Sequence, residues 1–178
     1  IYDNTGHGIY IWGQSNTVSG LTNTHTLDNN TIYWTDGHAQ EHTHLGIHVY
    51  SQSARVTTDI TNNDITNAAT GIYCRGNNSN SGGYVLNALV SGNHVHDNNG
   101  YGIRSYEEYR GTMTTEIRGN IVEDNSSDGI LVHRDMSSSY DADRQTITAA
   151  LILNSVTGNT GRGAALATTA PSKVLYNN

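Results

Sequence analysis

Short runs of alternating apolar and polar residues recur along the whole chain, separated by Asn and Gly. In one repeated phrase, Asn or His precedes three residues, a glycine and a small or aliphatic residue. Its six glycines, which we call the anchor glycines, are Gly8, Gly46, Gly71, Gly102, Gly129 and Gly163. In a second phrase, Asn lies between aliphatic residues, as in Leu27/Asn30/Ile32 and Ile117/Asn120/Val122. A period of two predicts strands, so each repeat should hold two or three short strands with Asn and Gly corners.

The repeats predict a solenoid, because a strand of this length cannot bury a face alone, whereas stacked copies form a continuous core. We expect Asn corners to form hydrogen-bonded columns and Gly corners to adopt positive φ. No segment repeats apolar residues at helical spacing for long, so little helix is expected. The phrases resemble those of right-handed parallel β-helix proteins. The prediction is an all-β, right-handed parallel β-helix of about six coils, with residues 1–178 as one domain cut in mid-repeat at both ends.

Composition excludes several classes of protein. The net charge is −7 with nine Lys and Arg residues, so the chain lacks the broad basic surface of a nucleic-acid binder. Its one cysteine, Cys74, excludes an intrachain disulfide and a multi-cysteine metal site. No apolar run approaches the length of a membrane span. An acidic polysaccharide would meet the same overall repulsion, so binding it would require a local basic groove or a bridging cation.

The alternation also assigns the two faces of each glycine-anchored strand. The first and third residues after the glycine should point into the core, and the second and fourth should face solvent. The outward positions carry an unusual set of side chains: Tyr10, Trp12, His48, Tyr50, Tyr73, Arg75, Arg104, Tyr106, Leu131 and His133. Residues Glu107 to Arg110 are expected to begin a short loop beside this face.

Aromatic rings stack on sugars and arginine forks bind carboxylates, so this outer face predicts a groove for a polysaccharide. The expected substrate contacts are His7, Tyr10, Trp12, Tyr73, Arg75, Arg104, Tyr106 and His133. The alternative is that the same residues form cross-strand ladders with a purely structural role. No cofactor is required, but Asp135, Asp141 and Asp143 in a long loop could bind a cation such as Ca²⁺.

The second repeat contains a histidine-rich segment. Its titratable residues are Asp36, His38, Glu41, His42, His44 and His48. Histidines beside the predicted groove suit acid–base chemistry near neutral pH. A loop-built metal site that uses His42 and His44 is the alternative.

Part of this segment resembles the mannuronan C-5 epimerases of β-helix type. Their signature is Tyr-Gly-Phe-Asp-Pro-His-Glu-Gln, and this chain has Tyr33-Trp-Thr-Asp36-Gly-His38-Ala-Gln40, which keeps Tyr, Asp, His and Gln at the same offsets. That family also places a histidine directly before an anchor glycine as a substrate contact, as His7 stands before Gly8. The resemblance implies lyase or epimerase chemistry on a uronate-containing glycan, with Tyr33, Asp36 and His38 in catalytic positions.

Such a reaction removes a proton beside a carboxylate, and therefore needs a charge neutraliser, a base and an acid. Arg75 and Arg104 could neutralise the charge, and His38 or His48 could be the base. The candidates for the acid are Tyr33, Tyr50 and Tyr73.

Two other functions are compatible with the sequence. A non-catalytic surface or structural β-helix, as in an adhesin, a tailspike or an envelope component, fits the same composition. A glycosidase needs paired carboxylates, but Glu107 and Glu108 are adjacent and should point to opposite faces of a strand. A glycan partner implies a secreted or cell-surface protein. The sequence leaves the oligomeric state open.

Overall fold

The computed structural model describes residues 1–3, 5–14, 22–35, 44–78, 84–109, 111–134, 145–167 and 173–175. These residues form a parallel β-helix of three sheets, and each coil takes one strand from each sheet in turn. The predicted all-β solenoid is confirmed. No helix in the described part of the chain is long and apolar enough to cross a membrane.

The first sheet contains the glycine-anchored strands β1 (Ile9–Gln14), β4 (Leu45–Gln52), β7 (Thr70–Asn78), β10 (Ile103–Tyr109), β13 (Ile130–Arg134) and β16 (Ala164–Ala167). The second sheet contains β2 (Thr22–Asp28), β5 (Arg55–Thr61), β8 (Val85–Ser91), β11 (Gly111–Arg118), β14 (Gln145–Ile152) and β17 (Lys173–Leu175). The third sheet contains β3 (Thr31–Tyr33), β6 (Asp64–Thr66), β9 (His94–His96), β12 (Ile121–Glu123) and β15 (Ser155–Thr157).

The strand register confirms the alignment of the glycine-anchored strands. The isoleucines one residue after successive anchor glycines pair with one another, and they fill the core with the aliphatic column of the third sheet. Both columns are fully buried in the middle of the stack, as in Ile47, Ile72, Ile65 and Val95, whereas Val156 in the last coil is partly buried. The core is therefore a stack of aliphatic layers, one for each coil.

An asparagine ladder closes the corner between the second and third sheets. Its members are Asn30, Asn63, Asn93, Asn120 and Asn154. From Asn63 onward, each Oδ1 accepts hydrogen bonds from the backbone N–H and the side-chain Nδ2–H of the asparagine in the preceding coil, at 2.9–3.1 Å. The predicted column of hydrogen-bonded corners is confirmed, and it satisfies backbone groups that would otherwise be buried without partners.

A second ladder joins the third sheet to the first through Asn98, Asn125 and Asn159. The repeat phrase places Asn67 in this column, because it stands four residues before Gly71. That placement is wrong by one residue, since it is Ala68 that donates its N–H to Oδ1 of Asn98, at 2.9 Å. Asn67 instead occupies the preceding left-handed corner, with φ of +57°. Ala68 stands three residues before Gly71, whereas Asn98 and Asn125 stand four residues before Gly102 and Gly129. The repeat phrase does not reveal this difference of one residue.

Close packing between coils requires glycine at every anchor position except Gly163, where an added Cβ would meet no atom closer than 3.8 Å. A Cβ atom on Gly71 would lie 2.8 Å from the carbonyl oxygen of Gly102, and one on Gly102 would lie 2.6 Å from that of Gly129. The prediction of positive φ is wrong for these glycines. Positive-φ glycines in the described ranges are Gly92, Gly119 and Gly158, which lie at other corners.

Strand β10 is longer than the sequence indicated. The prediction that a loop begins at Glu107 is wrong, because Glu107, Glu108 and Tyr109 continue the strand and pair with β7. Glu107 points inward and is fully buried, and Nε of Arg134 lies 3.7 Å from its carboxylate. Because the strand continues, Glu108 projects from the outer face of the first sheet.

Leu153 offers a test of the corner geometry. It has φ of +53°, at the position that Asn62 and Gly92 occupy in other coils, and its side chain is 64% exposed. A left-handed backbone costs most L-residues roughly 1–2 kcal/mol, whereas Asn and Gly adopt it more readily. We therefore expect Leu153→Asn to raise the free energy of unfolding by about 1 kcal/mol in urea denaturation. Leu153→Ala retains the strain and should not gain stability; equal effects of the two variants would refute this explanation.

Candidate functional site

Two columns of side chains cross the outer face of the first sheet, at the second and fourth positions after each anchor glycine. The strand register aligns Tyr10, His48, Tyr73 and Arg104 in one column. It aligns Trp12, Tyr50, Arg75, Tyr106 and His133 in the other. The predicted arrangement in columns is confirmed, with neighbours separated by one strand spacing, about 4.8 Å.

The prediction that all these positions face solvent is wrong for His48 and Leu131, which are 7% and 6% exposed. The ring of His48 stacks between Tyr10 and Tyr73, with centroid separations of 4.9 and 5.1 Å. His7 packs edge-on against His48 at 4.8 Å. Side chains that lie just before the anchor glycines thus fold over the face and cover part of it.

A cleft of about 310 Å³ lies on this face across β4, β7 and β10. Its lining residues are Leu45, His48, Thr70, Tyr73, Arg75, Arg104, Tyr106 and Glu108. The cleft therefore brings together five residues that the sequence placed in the groove, with Leu45, Thr70 and Glu108 as unpredicted neighbours.

Arg104 is the most distinctive group in the cleft. Its guanidinium carbon lies 5.2, 4.9 and 5.1 Å from the ring centroids of Tyr73, Tyr101 and Tyr106. Its Nε donates a hydrogen bond to Nε2 of His133 at 3.1 Å. Three aromatic faces hold the cation in place without neutralising it, which leaves its charge available to an anion.

Arg75 differs from Arg104, because its charge is already paired. Its Nε donates to Oε2 of Glu108 at 3.1 Å, and its NH2 makes a second contact with the same oxygen. Asn77 donates to that oxygen as well, at 2.9 Å. The sequence predicted two equivalent arginines, whereas in the structure Glu108 neutralises one of them.

His7 and His48 are linked by hydrogen bonds that determine which ring nitrogen of each histidine carries the proton. Nδ1 of His7 faces the backbone N–H of Leu45 at 3.4 Å, so its proton belongs on Nε2, which lies 3.3 Å from Nδ1 of His48. His48 then carries its own proton on Nε2. That buried atom has no hydrogen-bond partner among the described residues, although His48 lines the cleft. It can donate to an oxygen of a bound ligand.

Burial lowers the pKa of His48 to about 3, and the positive charges of His7 and Arg75 add to this effect. A side chain with that pKa is a weak base, so its geometry suits hydrogen bonding better than proton abstraction. Burial raises the pKa of Tyr73, against the opposing effect of Arg104 and Arg75. The two guanidinium groups only partly offset this rise in the pKa of Tyr73, although Arg104 lies 5.2 Å from the centre of its ring.

The lowered pKa of His48 predicts a dependence of stability on pH. The unfolded chain binds this proton below about pH 6.5, whereas the folded protein resists it until about pH 3. Stability should therefore be full above pH 6.5 and fall toward pH 3, by roughly 1 kcal/mol per pH unit from this residue. Urea denaturation from pH 7 to pH 4 should show a shallower loss for His48→Gln than for the unmodified protein. His25→Gln, on the second sheet, should retain the full slope; an unchanged slope in His48→Gln would refute the prediction.

The remaining predicted residues are distributed unevenly. Tyr10 and Trp12 are half exposed, Tyr50 lies beside Arg75, and His133 stacks on Tyr106 at 4.5 Å. Tyr33 belongs to β3 in the third sheet and stacks on Tyr2 at 5.7 Å, so it does not share the cleft's face. The other predicted residues lie outside the described ranges: Asp36, His38, Glu41, His42, Asp135, Asp141 and Asp143.

Sequence reasoning missed Tyr101 and Glu108 as parts of the site. Tyr101 stands directly before Gly102, at the position that His7, Leu45 and Thr70 hold in other repeats. Comparing that position across the six phrases would have identified it as a further column over the same face.

The fold and this face define a parallel β-helix with an aromatic and basic cleft on one outer sheet. Residues 1–178 match the model of a family described as the right handed beta helix region. The chain therefore belongs to the right-handed β-helix family, which includes polysaccharide-active and structural members. No curated protein and no solved structure matches the chain.

Proposed function

We propose that this protein binds a uronate-containing polysaccharide along the outer face of the first sheet. We further propose that it acts on that glycan by lyase or C-5 epimerase chemistry, as a secreted or cell-surface protein. The observation that carries the proposal is the guanidinium of Arg104, held within 5.2 Å of three tyrosine ring centroids in the cleft.

Recognition of an acidic glycan must overcome the net charge of −7. A carboxylate would pair with Arg104, because Glu108 already neutralises Arg75. The Nε2–H of His48 would be a second donor to the ligand, since it is buried without a partner among the described residues and His48 lines the cleft. The sugar rings would lie across the edges of Tyr73 and Tyr106, because His48, Arg104 and His133 already pack against the faces of those rings. The exposed Tyr10 and Trp12 would extend the surface across further coils.

The reaction shared by lyases and epimerases begins with removal of the proton at C5, beside the carboxylate. Arg104 would stabilise the negative charge that develops on that carboxylate. Tyr73 is assigned the proton transfer, because it lines the cleft beside Arg104, and Arg104 and Arg75 partly offset the rise in its pKa that burial causes. In a lyase the electron pair forms the C4–C5 double bond, and the glycosidic oxygen leaves with a proton. In an epimerase a proton returns to the opposite face of C5.

Incubation with alginate and pectic glycans tests this function. Turnover should appear as absorbance of unsaturated products or as a changed ratio of uronate epimers. Tyr73→Phe should abolish turnover and retain glycan binding, while Tyr33→Phe on the third sheet should leave both intact. Loss of turnover in Tyr33→Phe alone would instead favour the catalytic signature that resembles the C-5 epimerases.

The same experiment distinguishes catalysis from passive binding. Binding without turnover on every uronan would contradict the assigned chemistry and identify a non-catalytic glycan-binding β-helix, such as an adhesin or an envelope component. Failure to bind any uronan would overturn the whole proposal.

A further inference from the structure

The outer face of the third sheet carries a separate cluster of metal-ligating groups. Asp64 lies on β6, and His94 and His96 lie on the adjacent β9. One ligand atom from each of the three lies within 4.8 Å of the others. Strands β6 and β9 pair Asp64 with His94, and alternation along β9 places both imidazoles on the same outer face.

Each imidazole uses one nitrogen toward Asp64 and the other toward a second carboxylate. Nδ1 of His94 and Nε2 of His96 lie 3.4 and 3.1 Å from Oδ1 of Asp64. On the opposite sides of the rings, Nε2 of His94 lies 2.9 Å from Glu123, and Nδ1 of His96 lies 2.7 Å from Asp97. Histidines that bind metals show this arrangement, in which a carboxylate accepts the N–H opposite the ligating nitrogen.

The outer carboxylates determine which nitrogens are available. If Glu123 and Asp97 each accept an N–H, the remaining nitrogen of each ring turns its lone pair toward Asp64. Two imidazole nitrogens and a carboxylate oxygen then lie within 4.8 Å of one another, a spacing that a bound cation could bridge once the rings tilt toward it. The two rings stack with centroids 4.1 Å apart and 20° between their planes, so they stand side by side on one face and need only tilt to bind one ion.

We propose that Asp64, His94 and His96 form a binding site for a divalent transition metal, with Zn²⁺ as the representative ion. Two of the three ligands are imidazole nitrogens, so the site does not favour Ca²⁺ or Mg²⁺, because those ions prefer oxygen ligands. The Asp64 side chain is 50% exposed, so water would complete the coordination. The site lies on a different sheet from the cleft and is independent of the proposed glycan chemistry.

Such an ion would connect neighbouring coils directly. It would link β6 to β9 through its ligands, and β12 would contribute through Glu123. Because the unfolded chain cannot hold these groups together, binding should raise the thermal stability of the protein.

Isothermal titration of the full chain with Zn²⁺ tests the site. The His94→Ala/His96→Ala variant should bind at least 100-fold more weakly, and Asp64→Asn should also weaken binding. The matched control is His42→Ala/His44→Ala, which removes the histidines of the alternative loop site and should leave the affinity unchanged. Zn²⁺ should raise Tm for the unmodified protein and for this control, but not for the His94→Ala/His96→Ala variant.

Glu123 contacts His94 on the side of the ring away from Asp64, so we expect it to position that histidine for the metal. Glu123→Gln should weaken Zn²⁺ binding roughly 10- to 100-fold, whereas Glu116→Gln on the second sheet should have no effect. Zn²⁺ binding that survives loss of His94 and His96, or that disappears with His42 and His44, would overturn the proposal. No binding by the unmodified protein would do the same.

Discussion

Replacement of Arg104 with alanine should weaken binding of a uronate oligosaccharide about 100-fold or more, because the ligand carboxylate would lose its main cationic partner. The structure places this guanidinium against three tyrosine rings, with Nε bonded to His133. Its neighbour Arg75 cannot substitute, since Glu108 already pairs with it. Titration calorimetry with uronate oligosaccharides of one length measures the change in affinity.

Two variants control this prediction. Arg104→Lys keeps the charge but loses the planar fork, so binding should fall to an intermediate level. Arg55→Ala, at an exposed arginine of the second sheet, removes the same charge from the whole protein and should leave affinity unchanged. Equal losses in Arg104→Ala and Arg55→Ala would show that general electrostatics, rather than the cleft, governs binding.

Replacement of Asn93 with alanine should lower the free energy of unfolding by about 4 kcal/mol, as expected when several buried hydrogen-bonding groups lose their partners. Its Oδ1 accepts two hydrogen bonds from Asn63, and its Nδ2 donates to Asn120 and to the carbonyl of Ile60. Asn93 is 1% exposed, so water cannot replace these bonds without opening the coil. Urea denaturation followed by circular dichroism measures the loss.

Asn30 is the matched control, because it lies at the end of the same ladder. It donates to Asn63 but is only partly buried. Asn30→Ala should therefore cost about 1 kcal/mol. Similar costs for the two variants would contradict the view that the ladder stabilises the stack through its buried, doubly bonded members.

The fold could be predicted because its repeats use the same residue types for the same physical reasons. Aliphatic residues before and after each ladder asparagine have the same inward orientation in every coil, as Ile60 and Ile65 illustrate. The anchor glycines marked the first strand of each coil correctly. The reason assigned to them was wrong, because the close approach of Gly71 to the Gly102 carbonyl appears only when the coils are stacked.

The composition of the candidate site was predictable, but its electrostatics were not. Alternation placed Arg75 and Arg104 on one outer face, yet it could not show that β10 continues far enough for Glu108 to reach Arg75. The burial of His48 depends on His7 and Tyr10 from the preceding coil. Both effects arise between residues far apart in sequence, and they require an exact strand register.

The cluster of Asp64, His94 and His96 on the third sheet also depends on strand register, which the sequence alone does not show. His94 and His96 stand two residues apart, which is visible in the sequence, but Asp64 joins them only through the pairing of β6 with β9. The sequence directed attention to the histidine-rich segment around His42 and His44 instead. The histidine-rich segment has more histidines close together in sequence, whereas strand pairing brings Asp64, His94 and His96 together in space.

A crystal structure of the protein bound to a uronate trisaccharide tests the central claim most directly. We predict that one sugar carboxylate contacts the guanidinium of Arg104, and that Nε2 of His48 donates to a sugar oxygen. The sugar rings should lie against Tyr73 and Tyr106. A trisaccharide seated on another face, or bound in the cleft with its carboxylates directed away from Arg104, would contradict the account.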